Sequence, residues 1–187
     1  EQAVKSTVKK KSLSPVWREV FTIPNVVLGG KQSPILTVTV QDVDLASGAD
    51  FMGCVRIPLI DMHSGTLKRA WWPLEDEDAD EDDIDVRPET PAEGAAGTAE
   101  GDAATRGEVE LVLRWVYNPE LEVHVADDDP TTRPPNSLCI VLGQARDLIA
   151  RDRKLLGGTP SSDPIARITA TGVGAKAQTV TSTTKMK

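Results

Sequence analysis

Apolar and polar residues alternate along several short stretches of this chain. Apolar residues occupy every second position in residues 36–40, 55–59, 109–115 and 138–142. A period of two is typical of a strand with one buried face, and the β-branched content of these stretches favours the same structure. Further short strands fit residues 20–23, 165–170 and 176–184. Many short strands between Gly, Pro and Asp turns predict an all-β protein, an antiparallel β-sandwich.

Two segments interrupt this pattern. Nine of the eleven residues from Glu75 to Asp85 are acidic, and Pro, Gly and Ala dominate the rest of 75–106. This composition buries too little apolar surface to offset the entropy of ordering, so we predict a disordered acidic insertion between two strands. Residues 119–135 contain an Asp run and a Pro-Pro pair, which predict an extended, semi-rigid linker.

Three carboxylates cluster where the strand at 36–40 ends. Asp42, Asp44 and Asp50 lie within nine residues, with Ser47 between them. Ca²⁺ takes six to eight oxygen ligands in a flexible shell, and Gly48 lets the backbone fold back so that Asp50 joins the other two. The cluster is therefore a candidate Ca²⁺ site. The alternative is an ordinary turn, in which Asp and Gly are common.

Charge and cysteine content exclude some classes of function. The net charge of −8 argues against nucleic acid as the main partner. Cys54 and Cys139 lie far apart and outside any C-x-x-C pattern, which favours a reducing, intracellular setting. We find no nucleophile-base pairing, phosphate loop or paired acid and base, so we expect this segment not to be an enzyme.

The chain also contains a short internal repeat. Residues 2–11 and 178–187 share six residues in register, namely Gln, Val, Ser, Thr, Lys and Lys. A repeat of this kind is consistent with a chain that runs from one point in a domain to the same point in the next copy.

Several segments resemble the C2-domain family. Residues 9–21, K-K-K-S-L-S-P-V-W-R-E-V-F, resemble its segment K-x-S/T-L-N-P-x-W/F-N-E-x-F. The three later segments resemble its D-x-D…D-D-x-x-G loop, its W/Y-x-x-L strand and its final G-x-L-x-L strand, and they follow in the family order: 42–53, 72–74 and 107–111.

Residues 136–187 look like the start of another C2 domain, whose pattern is L-x-V-x-x-A-x-x-L-x-x-x-D…G-x-S-D-P-Y. The stretch between Asp152 and Asp163 is longer than in the family, and Ile165 replaces its tyrosine. The resemblance implies a tandem C2-domain protein of the synaptotagmin-like, multi-C2 kind. The implied organisation is a C2 domain lacking its first strands, a linker and the first part of a second domain: 1–118, 119–135 and 136–187.

The resemblance also implies which residues hold Ca²⁺. One family loop is matched by three aspartates with Ser47 at an accessory position, and a second loop is matched by Asp152 and Asp163, which fall in the other domain. The first set comprises Asp42, Asp44 and Asp50. In an alternative arrangement, the chain closes on itself as a permuted sandwich and brings the two sets together. The linker argues against that closure.

The family commonly binds anionic lipid through its calcium loops and a basic strand, which here is matched by Lys5, Lys9, Lys10 and Lys11. Each Lys near an anionic surface contributes about 1 kcal/mol. Lysines that protect an edge strand from aggregation are the alternative. We expect a calcium-dependent phospholipid-binding module that is cytoplasmic and peripheral to the membrane. The alternative is a calcium-independent C2 scaffold that binds protein partners in a cytoskeletal or ciliary assembly.

Overall fold

The fold is an antiparallel β-sandwich. The structure is a computed structural model, and it describes residues 2–24, 34–44, 48–59, 67–76, 106–116, 118, 120, 136–151 and 160–171. Eight strands are described: β1 (Gln2–Lys5), β2 (Val16–Pro24), β3 (Ile35–Asp44), β4 (Gly48–Pro58), β5 (Leu67–Pro73), β6 (Glu108–Val116), β7 (Ser137–Arg146) and β8 (Pro164–Thr171).

The strands form two four-stranded sheets. The first sheet has the order β1-β8-β3-β4, and the second has the order β2-β7-β6-β5. Every pair of neighbouring strands is antiparallel. The predicted fold class is confirmed, and the alternating stretches coincide with β3, β4, β6 and β7. The strand predicted at 176–184 lies outside the described residues.

The core lies between the two sheets, because the apolar residues of each strand face inward at every second position. In β8 the buried positions alternate with more exposed ones along the whole strand. Trp72 and Trp115 are each only 1% exposed. Full burial of one large apolar side chain contributes about 1.5–3 kcal/mol. The inward-facing residues of the central strands are among the most buried: Leu36, Val38, Val40, Leu111, Leu113, Leu138, Ile140, Leu142 and Ile168.

The strand pairing differs from the predicted division at 119–135. β7 and β8 belong to the predicted second domain, yet β7 pairs with both β2 and β6, and β8 pairs with both β1 and β3. The described residues therefore form one sandwich, which is the closed arrangement considered as the alternative. The physical reason is that β7 and β8 fill the central positions of the two sheets and bury the apolar faces that half-sandwiches would expose.

The two ends of the predicted acidic insertion, 75–106, belong to the fold. The backbones of Glu75 and Cys54 exchange two hydrogen bonds, of 2.7 and 3.0 Å. The Arg106 guanidinium forms an ion pair with the Asp76 carboxylate. Residues 77–105 lie outside the described residues, as does most of 119–135. Within the described part of the chain, no helix is long and apolar enough to cross a membrane.

Candidate functional site

Three of the predicted metal ligands meet at one end of the first sheet, which we call the aspartate edge (Asp42, Asp50 and Asp163). Asp42 is paired with Asp50 across β3 and β4, and with Pro164 across β3 and β8. Asp163 directly precedes β8, and its carbonyl accepts a hydrogen bond of 3.1 Å from the Val43 N–H. The closed sandwich thus brings Asp163 to the strand that carries Asp42.

The carboxylates of the aspartate edge hold backbone groups in place. Asp42 is completely buried, and its Oδ1 accepts a hydrogen bond of 2.5 Å from the Asp163 N–H. The Asp163 Oδ1 in turn accepts a hydrogen bond of 2.7 Å from the Lys11 N–H. Hydrogen bonds from backbone N–H groups to carboxylates are stronger than those between neutral groups. These aspartates therefore connect β3, the start of β8 and the basic segment that follows β1.

The described residues do not by themselves fit a Ca²⁺ ion. No group of three or more His, Cys, Asp or Glu side chains placed to hold a metal occurs among them. Ca²⁺ requires six to eight oxygen ligands, whereas Asp42 and Asp163 each direct one oxygen at a backbone N–H. The Asp44 side chain, Ser47 and Asp152 lie outside the described residues. The full predicted ligand set stays a prediction.

Two arginines also reach this end of the molecule. The guanidinium of Arg151 donates a hydrogen bond to the carbonyl of Phe51, the residue after Asp50. Arg106 lies over the Phe51 ring, with its guanidinium carbon 5.7 Å from the ring centroid. Positive charge from these two side chains therefore lies close to the aspartate edge.

The four predicted lipid-binding lysines have different environments. Lys5, Lys10 and Lys11 are exposed, whereas Lys9 is partly buried. The Lys9 Nζ lies 3.9 Å from the Glu19 Oε1. Lys5 belongs to β1, and the other three follow it in the segment that runs beside the start of β8. Only three of the four therefore present an exposed ammonium.

Glu19 is an anchoring residue for this basic segment that the sequence analysis did not single out. It is 5% exposed, and its carboxylate accepts hydrogen bonds from the N–H and the hydroxyl of Thr7. The Trp17 Nε1–H donates a 2.9 Å hydrogen bond to the Thr7 carbonyl. Both anchors lie in the W-R-E segment of the motif, which is the signal that could have identified them.

Two arginines lie on the same outer face of the first sheet as Lys5. Lys5 pairs with Arg167 on β8, which pairs on its other side with Thr39. In the adjacent row, Thr169 pairs with Thr37, which pairs with Arg56. From β1 to β4 these two rows contain three cations, and Glu75 pairs with Cys54 at the far end of the first row. We call Lys5, Arg56 and Arg167 the basic surface.

Comparison of the chain with known protein families identifies one of them. A C2 domain is found at residues 1–74. Searches of curated proteins and of solved structures returned no match. C2 domains as a class bind membranes, Ca²⁺ or protein partners. The tandem arrangement of two C2 domains stays a prediction.

The C2 match contains β1 to β5, but these strands depend on the rest of the chain. Among them, only β3 and β4 pair directly with each other. β8 separates β1 from β3, while β7 and β6 separate β2 from β5. The C2 segment therefore completes its sandwich with strands from residues 108–171.

Proposed function

We propose that this C2 domain binds anionic phospholipid surfaces and that the basic surface is its main contact. The supporting observation is the cross-strand pair of Lys5 and Arg167, with Arg56 in the adjacent row. A sheet face that carries several cations is complementary in charge to an anionic bilayer. With about 1 kcal/mol for each cation near the surface, three cations support salt-sensitive, reversible binding.

Lys10 and Lys11 extend this contact toward the aspartate edge. Both are exposed, and the Lys11 backbone is fixed by Asp163 at 2.7 Å. A lipid headgroup bound by Lys11 would therefore lie near the Asp163 carboxylate. We propose that Ca²⁺ strengthens membrane binding by neutralising this edge, with Asp42, Asp44, Ser47, Asp50, Asp152 and Asp163 as the ligand set. The proposed location of the protein is the cytoplasmic face of a membrane.

A second candidate is a calcium-independent C2 scaffold that binds protein partners. One observation favours it. Asp42 is buried and holds the Asp163 N–H at 2.5 Å, so this carboxylate has a structural role without any cation. In that case the aspartates stabilise the fold and the partner is a protein surface.

Vesicle co-sedimentation tests these proposals. Vesicles of phosphatidylcholine with phosphatidylserine should sediment the protein, and vesicles of phosphatidylcholine alone should not. The double variant Lys5→Glu with Arg167→Glu should lose binding. The matched control is Arg114→Glu, because Arg114 is an exposed strand arginine on the second sheet.

Adding Ca²⁺ or the chelator EGTA to the same assay separates the two candidates. Tighter binding in Ca²⁺ that is lost in the Asp50→Asn variant supports the calcium ligand set. Equal binding in Ca²⁺ and in EGTA, still sensitive to Lys5→Glu, retains lipid binding and removes its calcium dependence. No sedimentation under any condition would reject the lipid proposal and leave the scaffold.

A further inference from the structure

A hollow of about 400 Å³ lies on the outer face of the second sheet, on the opposite side of the sandwich from the basic surface. All four strands of that sheet contribute to it. We call it the second-sheet groove, and its lining includes Arg18, Arg69, Glu110, Val112, Val141 and Gly143. A hollow of this volume is within the range of known ligand-binding sites.

Irregular strand pairing shapes the second-sheet groove. The register of β7 shifts at Arg18 on one side, in β2, and at Glu110 on the other side, in β6. Both of these side chains line the groove. Gly143 lies on β7 between them and has no side chain to fill the space. Pairing shifts of this kind redirect side chains and are frequent beside functional sites.

Arg18 has a backbone conformation that an arginine rarely adopts. Its φ is 54°, in the left-handed region, where Asn is several times more frequent than most residues. The C2 segment that this part of the chain resembles has Asn at the position of Arg18. Arg18 is exposed, and it forms no ion pair within the part of the chain that the structure describes. Strained residues of this kind cluster at binding and catalytic sites.

The charge of a second arginine in the groove is already compensated. Arg69 donates two hydrogen bonds to the Glu110 Oε1, at 2.8 and 2.5 Å. Glu110 is 8% exposed, and a Cβ at Gly143 would approach its Oε2 to 2.7 Å. Gly143 therefore leaves room for the carboxylate that holds Arg69. Because Glu110 is engaged with Arg69, the charge of Arg18 stays uncompensated.

The floor of the groove is apolar. Val112 pairs with Val141, which pairs on its other side with Val20, so three partly exposed valines form a row across three strands. The row ends at Arg69 on β5. Arg114 follows Val112 by two residues on the same face and is exposed. Among the described residues, Arg114 forms no ion pair.

We propose that the second-sheet groove binds an acidic peptide segment of a partner protein. An apolar side chain of the segment covers Val112 and Val141, and its carboxylates pair with Arg18 and Arg114. Three arginines against the single carboxylate of Glu110 make this region net positive, although the chain has a net charge of −8. A hollow with an apolar floor accommodates a side chain better than it does a planar layer of lipid headgroups. The proposal does not depend on lipid binding at the basic surface, which lies on the opposite face.

Strand geometry sets the spacing of the acidic groups in the bound peptide. Arg18 precedes Val20 by two residues, and Arg114 follows Val112 by two residues, while the two valines lie in one row. The two arginines are therefore separated by four residues along the strand direction, which is about 13 Å. An extended peptide directs every second side chain to one face and covers the same distance in four residues. The expected pattern is an acid, any residue, an apolar residue, any residue and an acid.

An NMR titration of the isotope-labelled full chain tests the proposal. The probe is the capped peptide Glu-Ser-Leu-Ser-Glu. One control peptide, Lys-Ser-Leu-Ser-Lys, reverses the charge, and the other, Glu-Ser-Ser-Ser-Glu, removes the apolar side chain. We expect the probe to cause saturable shift changes at the amides of Val112, Val141 and Gly143, and both controls to bind more weakly. Shift changes absent from these amides, or equal affinity for the probe and the lysine peptide, would overturn the proposal.

The Arg18→Asn variant separates peptide binding from folding. Asn suits the left-handed backbone, so the thermal unfolding midpoint should not fall. The loss of one exposed ion pair should weaken probe binding by up to about fivefold. Arg167→Asn is the matched control, because Arg167 is on the outer face of the first sheet, and it should leave probe affinity unchanged. Equal probe affinity in Arg18→Asn and the native protein would reject the role of Arg18.

Vesicle binding provides the remaining comparison. Vesicles that contain phosphatidylserine should bind Arg18→Asn as well as they bind the native protein. Vesicle binding that is lost in Arg18→Asn but kept in Lys5→Glu with Arg167→Glu would mean that the groove is a lipid site, which overturns the peptide proposal. The titration contains no lipid, so a failure of vesicle binding alone would reject the proposed function and leave the peptide site in place.

Discussion

The Asp42 carboxylate accepts a 2.5 Å hydrogen bond from the backbone N–H of Asp163, a residue 121 positions further along the chain. This contact joins the end of β3 to the start of β8, where Asp42 is completely buried. A carboxylate with this role stabilises the fold whether or not a cation is present. The same residue that identifies the family loop therefore also joins the C2 segment to the strands that complete it.

Replacing Asp42 should destabilise the protein even in a chelator. Asp42→Ala leaves the Asp163 N–H without its acceptor, and the loss of a buried acceptor costs about 1–3 kcal/mol of unfolding free energy. Asp42→Asn keeps an acceptor oxygen and should cost less. Urea unfolding in EGTA measures both. Asp50→Asn is the control, because Asp50 is exposed and should change stability by less than about 0.5 kcal/mol. Equal stability of Asp42→Ala and the native protein in EGTA would show that Asp42 has no such role.

Ile140 tests whether the chain unfolds as one sandwich. Ile140 is completely buried in β7, where it pairs with Phe21 on β2 and Leu113 on β6. Ile140→Ala should lower the unfolding free energy by about 2–5 kcal/mol. All four tryptophans precede residue 116, so their fluorescence reports on the part of the chain before the predicted linker.

We expect the tryptophan-monitored urea midpoint to fall in Ile140→Ala and to change little in Val141→Ala, whose side chain is on the outer face. A midpoint unaffected by Ile140→Ala would mean that β7 belongs to a separate cooperative unit, as the predicted division into two domains requires.

Local sequence patterns predict where the strands lie, but they do not predict which strands pair with each other. The alternation in 36–40 and 138–142 marks β3 and β7 because one face of each strand is buried. Nothing within either stretch states that β7 lies between β2 and β6, since that order depends on which apolar faces meet in space. The division at 119–135 followed from composition and family order, whereas the structure is decided by the pairing of strand edges.

The candidate site shows the same limit. The spacing of Asp42 and Asp50 predicts that the two lie close together, and they are paired across β3 and β4. The hydrogen-bond partner of Asp42 is the backbone of the distant Asp163, which no local pattern includes. Arg167 was missed because a single arginine in an alternating strand has no motif of its own. Its place beside Lys5 comes only from the β1 and β8 register.

Alanine substitutions at Gly107 and Gly48 distinguish the cost of steric overlap from the cost of backbone strain. Both have positive φ, of 94° and 99°. A Cβ at Gly107 would approach the carbonyl oxygens of Arg146 and Asp147 to 2.6 and 2.7 Å, whereas a Cβ at Gly48 would meet nothing within 4 Å. Gly107→Ala should therefore cost strain and overlap together, about 3 kcal/mol or more.

Gly48→Ala should cost only the strain, about 1 kcal/mol. Chemical denaturation of the two variants side by side provides the comparison. Similar losses of unfolding free energy in the two variants would indicate that the turn at Gly107 relaxes, so that the Arg146 carbonyl moves away from the added methyl group.

Cys139 provides a prediction that depends on pH. Burial raises the pKa of the Cys139 thiol above its ordinary value, and the positive charge of Arg114, its cross-strand partner, lowers that pKa in part. Because the thiolate is the reactive species, alkylation of Cys139 by iodoacetamide near pH 8 should be slower than that of an unhindered thiol. Arg114→Gln removes the lowering influence, so it should slow the reaction further and move its pH dependence upward.

Mass spectrometry distinguishes Cys139 from Cys54, which is buried. The control is Arg18→Gln, since Arg18 does not contribute to the pKa of Cys139 and the rate should not change. A faster reaction in Arg114→Gln would mean that Arg114 restricts access to the sulfur rather than stabilising its charge.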